Sequence, residues 1–149
     1  MNISTILSAD CTKCAVRSNS KKRLFEIVAE LANSQMPELS TKEIFDSLLA
    51  REKLGTTGIG NGIAIPHGRL LATDKVVAVF LQCADPVAFD AIDNRPVDLL
   101  FALLVPAERC DQHLRTLAMV AEKLNDKSTV KRLRAASSDA ELYQIITEN

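Results

Sequence analysis

Apolar residues along the chain follow first one period and then another. Leu24, Ile27, Val28 and Leu31 recur at helical spacing behind Ser18-Asn19-Ser20, whose side chains can accept from the open amides of a first turn. The spacing predicts a helix from about Lys21 to Asn33. Pro37 interrupts it, and Ser40-Thr41-Lys42-Glu43 then has the spacing of a capping box, which starts a second helix that runs to about Lys53 and buries Ile44 and Leu48. From Gly62 the period shortens. Val76 to Leu81 and Val97 to Val105 are short apolar runs rich in β-branched residues and Phe, the signature of buried central strands. Gly62 to Ile65 is a weaker strand, and Pro86, Pro96 and Pro106 bracket the others where ladder hydrogen bonds must stop. Beyond Pro106 helical spacing returns, with Leu114, Leu117, Ala121 and Leu124 on one face. Ser138 and Glu141 then make another capping box ahead of Leu142, Ile145 and Ile146. Helices before and after apolar strands predict one three-layer α/β domain over residues 1–149, a sheet with helices on both faces.

Composition narrows the function classes. With 149 residues, 47% of them hydrophobic, a single core is feasible and neither a metal nor disulfides are needed to hold it. Eighteen Lys plus Arg against nineteen Asp plus Glu give no excess of positive charge to attract nucleic acid. The clusters Lys21-Lys22-Arg23 and Lys131, Arg132, Arg134 have no interleaved aromatics and read as solvated faces. The longest apolar runs, such as Leu99 to Ala107, are far shorter than the roughly 20 residues that span a bilayer, so no membrane insertion is expected. The N-terminus lacks the basic start and apolar block of a secretory signal, which implies a cytoplasmic protein with reduced thiols.

All five glycines fall in one segment, Gly55-Thr-Thr-Gly58-Ile-Gly60-Asn61-Gly62-Ile-Ala-Ile-Pro-His67-Gly68. Ile59, Ile63 and Ile65 are interleaved with them and are expected to anchor the segment in the core, leaving backbone amides free for an anion. No Gly-Lys-Ser or Gly-Lys-Thr closes the segment, and it departs from the dinucleotide fingerprint at its last glycine, so nucleotide binding is disfavoured. The segment leads to Pro66-His67-Gly68, in which a fixed φ on one side and a permissive residue on the other present an imidazole at a strand end. A neutral imidazole with one nitrogen held by a backbone carbonyl, beside phosphate-binding amides, has the parts of a phosphoryl acceptor. Arg51 and His113 are candidates for the positive surroundings that phosphoryl transfer requires, although alone they read as a helix C-terminal charge and a surface residue. The amide donors expected at the phosphoryl group are those of Gly58, Gly60, Asn61, Gly62 and Gly68.

Thr56-Thr-Gly-Ile-Gly-Asn-Gly-Ile-Ala-Ile-Pro-His-Gly-Arg69, followed by Phe89-Asp-Ala-Ile-Asp-Asn-Arg-Pro-Val-Asp-Leu-Leu-Phe-Ala-Leu-Leu-Val-Pro106, resembles the nitrogen-related enzyme IIA of the bacterial phosphoenolpyruvate phosphotransferase system. The likeness extends from Ser20 to Ile146 and takes in Arg51-Glu-Lys-Leu-Gly55 and Arg132-Leu-Arg-Ala-Ala136; the first dozen residues match only loosely. The resemblance implies the mannitol-type enzyme IIA fold with a mixed sheet. It implies that His67 accepts a phosphoryl group on Nε2 from a phosphorylated HPr-like carrier, with His113 and Arg51 lining the site and no cofactor, metal or nucleotide taking part. It also implies a regulator whose phosphorylation state selects the proteins it binds.

Other signals are weaker. Cys11-x-x-Cys14 and Cys110-x-x-His113 can be assembled on paper into a zinc site, but inert thiols are the simpler reading, and Cys83 reads as a small buried hydrophobe. Asp90, Asp93 and Asn94 read as turn residues before Pro96 rather than cation ligands. Beside the phosphohistidine carrier stands one alternative from another class, a regulatory protein-binding module that works without phosphorylation. A zinc hydrolase is kept only as a control.

Overall fold

Short polar side chains decide where the helices begin. Ser20 Oγ accepts from the Arg23 amide at the start of α1 (Lys21–Gln35), and Ser40 with Glu43 forms the predicted capping box of α2 (Thr41–Leu54). After α3 (Cys110–Asn125), Asp126 accepts from the Thr129 amide and opens α4 (Lys127–Ala135), a separate helix that the apolar spacing did not resolve. Ser138 caps α5 (Asp139–Thr147) as expected, but the Glu141 carboxylate accepts from the Ser137 amide, one residue earlier than a standard box requires. A short 3-10 turn, Ile3–Thr5, precedes the first strand. The structure, a computed structural model, describes all residues except Met1, Ala72, Arg109 and Asn149; the side chains of Cys110 and Asp111 also lie outside the described set.

Six strands form one mixed sheet: β1 (Leu7–Val16), β2 (Gly58–Gly60), β3 (Ile63–Ala64), β4 (His67–Leu70), β5 (Val77–Val87) and β6 (Val97–Pro106). The order is β1-β5-β6-β3-β2, and β4 continues β3 along the same edge of β6. β1 is parallel to β5, β5 antiparallel to β6, and β3 and β4 parallel to β6. Pro66 causes the break between β3 and β4, because it has no N–H for the ladder; its carbonyl still accepts from the Leu103 amide at 2.9 Å. β6 is buried throughout except at Asp98, as its unbroken apolar run predicts, and Phe101 packs against Phe80 of β5 with ring centroids 5.6 Å apart. Truncating one such residue, for example Leu100→Ala, would cost about 2–5 kcal/mol.

Three expectations need correction. β1 was not foreseen: its polar and small residues hide a strand whose buried positions, Leu7, Cys11 and Thr12, do not alternate regularly, and its register against β5 slips twice. Pro86 lies inside β5 rather than beyond it, in an exposed stretch where the register with β6 is interrupted between Gln82 and Val87, so no ladder donor is missed. In α3 the buried face is rotated. His113, Thr116, Val120 and Leu124 point inward, while Leu114 is 66% exposed.

Helices cover both faces of the sheet, and the cysteine pair shows it. Cys11 Sγ approaches the Leu31 carbonyl of α1, whereas Cys14 Sγ donates to Gln82 Oε1 and the Ala136 carbonyl beyond α4. The two thiols therefore serve different layers. α1 and α2 pack together over β5 and β4, and α5 packs on β1 beside α4. A mixed sheet between helical layers is the three-layer α/β fold that the apolar pattern predicts.

Candidate functional site

His67 opens β4, opposite Leu103 of β6. Its ring is half-buried, and both nitrogens have partners. Nδ1 lies 3.3 Å from the Ile65 carbonyl, which accepts only if that nitrogen carries the proton; Nε2 then holds a lone pair, and it accepts from Arg51 Nε at 3.0 Å. The hydrogen-bond network thus assigns the neutral tautomer with its nucleophilic nitrogen at Nε2. Burial lowers the His67 pKa below its ordinary 6.5, and the positive charges of Arg51 and Arg69 act in the same direction, against the Ile65 bond and the Glu52 charge that raise it. With its pKa held below the ordinary value, the ring is mainly neutral at pH 7.

Arg51 sits in the last turn of α2. While Nε reaches His67, Nη1 donates to the Gly55 carbonyl at 2.8 Å. α2 comes this close to β4 because Gly68 has no side chain. A Cβ there would fall on the Ser47 hydroxyl and lie 3.1 Å from Ser47 Cβ and 3.3 Å from the Leu48 amide. The glycine therefore sets the helix-to-strand distance that lets the guanidinium meet the imidazole.

The remaining glycines do something other than the expected binding of phosphate. The segment Phe89 to Arg95 runs along the outer side of β2, and the glycines of β2 make room for it. A Cβ on Gly58 would lie 2.8 Å from Ala91 Cβ, and one on Gly60 would lie 3.3 Å from Asp93 Oδ2. The Gly58 amide donates to Thr56 Oγ1, the Asn61 amide to Asp93 Oδ2, and the Gly58 carbonyl accepts from Ile92. Gly60, Asn61 and Gly62 all have positive φ and form the chain reversal between β2 and β3. The Gly62 carbonyl accepts from Leu99, four residues before Leu103 on β6, which places the turn about 13 Å along the strand from His67. The amides of Gly58 and Asn61 are thus bonded internally, and the turn is not brought to the imidazole. Ile59 is also 46% exposed, so of the three isoleucines only Ile63 and Ile65 anchor this segment. Asp90 and Asn94 take positive φ, and Asp93 accepts from Asn61 and Arg95, in line with the turn reading.

His113 is not a surface residue. It is buried on α3, with Nε2 3.0 Å from the Pro106 carbonyl at the end of β6, and Nδ1 has no partner among the described residues. The buried Pro106 carbonyl requires a donor, and this requirement explains the rotated face of α3. Pro106 is three residues beyond Leu103, about 10 Å along the strand. The structure thus brings Arg51 onto His67, whereas His113 is joined to neither by a described hydrogen bond.

Glu52 was not singled out in the sequence. Its carboxylate is buried, accepts from the Thr57 amide at 3.1 Å and hydroxyl at 2.5 Å, and pairs with Lys21 Nζ at 2.8 Å. Lys21 also lies over the Phe89 ring, 4.4 Å from its centroid, so it is no simple solvated charge. Arg132 and Arg134 likewise pair with Glu148 and Asp98. A signal existed in the directly adjacent Arg51-Glu52, but only packing shows that the carboxylate turns inward.

The three described thiols offer no second centre. Burial raises the pKa of Cys11 and Cys14 and pushes the Cys83 thiol up to about 12. Among the described residues no group of three or more His, Cys, Asp or Glu side chains could hold a metal ion; the Cys110 thiol of the zinc control lies outside that set. No helix is long and apolar enough to cross a membrane among those residues.

Residues 5–149 match the family model described as Phosphoenolpyruvate-dependent sugar phosphotransferase system, EIIA 2. The chain is 56% identical over 149 residues to the nitrogen regulatory protein of Escherichia coli K12, covering 99% of this chain and 91% of that one. It is 43% identical over 148 residues to the nitrogen regulatory protein homolog of Haemophilus influenzae, covering 97% and 90%. The crystal structure of nitrogen regulatory protein IIA-Ntr from Neisseria meningitidis superposes with a TM-score of 0.91 at 41% identity, over 97% of this chain and 99% of that one. IIA mannitol from Escherichia coli shares the fold, with a TM-score of 0.76 at 22% identity over 93% and 97% of the two chains. The chain belongs to the EIIA 2 family of the phosphoenolpyruvate-dependent sugar phosphotransferase system, in its nitrogen-regulatory branch.

Proposed function

We propose that this protein is a phosphohistidine carrier and switch, in which His67 Nε2 accepts a phosphoryl group from a phosphorylated HPr-like carrier. One observation carries the reading: the imidazole is held at Nδ1 by a carbonyl while its other nitrogen, a bare lone pair, faces a guanidinium. In the in-line step the bond from Nε2 to phosphorus forms as the donor's phosphorus–nitrogen bond breaks, and the electron pair of that bond returns to the donor ring. The proton on Nδ1 stays in place, and the Ile65 carbonyl stabilises the positive charge that the ring acquires. Arg51 must leave the lone pair before attack and then meets the incoming oxygens. The resting contact therefore shields the nucleophile.

His113 joins this reading as a supporting group. It lies on α3 with its Nδ1 free of any hydrogen-bond partner among the described residues. A transferred phosphoryl adds about −1.5 to −2 charges at one point of the surface, enough to create or abolish a contact with a regulatory protein target. On this reading the donor is a protein carrier and the reaction is cytoplasmic, with neither nucleic acid nor membrane insertion taking part. The test is incubation with phosphoenolpyruvate, enzyme I and an HPr-like carrier, followed by intact-mass analysis. One acid-labile phosphoryl adduct is expected on the wild type and none on His67→Ala. A wild type that stays unmodified overturns the carrier reading and leaves the phosphorylation-independent binding module.

A further inference from the structure

We propose that Glu52, which touches neither the imidazole nor the phosphoryl group, is the positioning residue that sets both nitrogens of His67. A hydrogen-bonded route leads from its buried carboxylate to one side of the ring, and a covalent one through the neighbouring residue leads to the other. On one route Glu52 holds the Thr57 amide and hydroxyl, the Thr57 carbonyl accepts from the Ile65 amide at 3.0 Å, and the Ile65 carbonyl accepts from His67 Nδ1. On the other, Glu52 is joined covalently to Arg51, whose Nη1 is held by the Gly55 carbonyl and whose Nε donates to His67 Nε2. Gly55 lies only two residues before Thr57, so anchoring Thr57 also places the carbonyl that holds the guanidinium. The routes close into a ring that runs from Glu52 through Thr57, Ile65, His67 and Arg51 back to Glu52.

The anchor itself is well fixed. A buried carboxylate is tolerated only when paired and hydrogen-bonded, and here Lys21 Nζ supplies the counter-charge from the first turn of α1. Lys21 is held in turn over Phe89, whose carbonyl accepts from Thr56 Oγ1 and whose ring meets Phe25 edge-on at 5.9 Å. This explains a positive residue in the first turn of a helix, where it opposes the dipole: its charge belongs to Glu52. The start of α1, the end of α2, the Gly55–Thr57 turn and the segment along β2 thus meet on one carboxylate beside the imidazole.

This inference rests on the phosphoacceptor reading for its consequence in rate, but its structural content can be tested without phosphorylation. Nitrogen-15 NMR of the His67 ring reports which nitrogen carries the proton. The wild type is expected to show the proton on Nδ1. Glu52→Ala should lose that bias towards a mixture of tautomers and accept the phosphoryl group on the order of tenfold to a hundredfold more slowly, the scale of a small misplacement of reacting groups. Glu52→Gln, which keeps an acceptor for the Thr57 amide, should recover part of both. Thr57→Val, nearly the same shape without the hydroxyl, gives a second variant should Glu52→Ala not fold, and should weaken the bias in the same direction. Folded Glu52→Ala or Thr57→Val with wild-type tautomer populations overturns the inference, as does a slowed rate with the tautomer unchanged. A wild type with the expected tautomer that takes up no phosphoryl group refutes the carrier reading instead.

Discussion

The two histidines occupy opposite environments. His67 stands at the head of an edge segment, half-exposed, with its proton on Nδ1 and its Nε2 lone pair directed at Arg51. His113 is enclosed beneath α3, donates from Nε2 to Pro106, and leaves Nδ1 without a partner. The contrast is one of tautomer and exposure, which on the proposed reading separates the nucleophile from a supporting group. Each ring is set by the carbonyl it faces, one before the break at Pro66 and one at the end of β6.

The sharpest way to break this comparison is to remove each ring. His67→Ala should abolish the phosphoryl adduct, whereas His113→Ala should still form it, with slower handling of the group, as intact mass and a time course would show. Complete loss of the adduct in a folded His113→Ala variant would mean that the two environments are not functionally distinct. Arg51→Ala comes next. Without the guanidinium, acceptance should slow on the order of a hundredfold, and Arg51→Lys should recover little, because an ammonium cannot reach His67 and Gly55 together as the planar fork does. Equal rates in a stopped-flow assay would contradict this role.

Gly68→Ala tests the spacing between α2 and β4. The added methyl meets Ser47 and the Leu48 amide, so a loss of about 1–3 kcal/mol is expected in denaturant unfolding, along with a weakened Arg51 contact. The effect of pH is smaller. Burial depresses the folded-state pKa of His67 below the unfolded 6.5, so the folded protein binds fewer protons than the unfolded chain. The contribution to stability is intact above pH 6.5 and is lost as pH falls through the lower folded value. Phosphoryl acceptance should follow, declining at low pH with a midpoint below 6.5; a midpoint at or above 6.5 would show a solvated ring. Least of all should change in Cys14→Ser, since the Cys11 and Cys14 thiols bond into different layers and have raised pKa values. Mild oxidant should leave the wild type without a Cys11–Cys14 disulfide by mass.

Much of this architecture was legible before any coordinates. Capping serines, helical spacing and apolar runs are local, since the energy that forms them lies within a few residues; Ser20, Ser40 and Ser138 start helices where their sequence context predicts. The glycine cluster ending in Pro66-His67-Gly68 drew attention to the imidazole, beside which the structure sets Arg51. What those rules missed was set by distant partners. β1 is a strand because β5 lies beside it, and α3 turns His113 inward because Pro106 needs a donor.

The glycines show the same division at one place. The sequence by itself determined that residues 55–68 require unusual backbone freedom and that His67 follows a conformational break. Only the tertiary structure decided what that freedom serves: Gly58 and Gly60 seat the Phe89–Arg95 segment, and Gly68 admits α2. The physical reason is that a missing side chain marks a space, and what fills the space comes from a part of the chain that local sequence does not specify. The same holds for Glu52, whose charge was in plain view and whose burial against Lys21 and Thr57 depends on elements far apart in sequence.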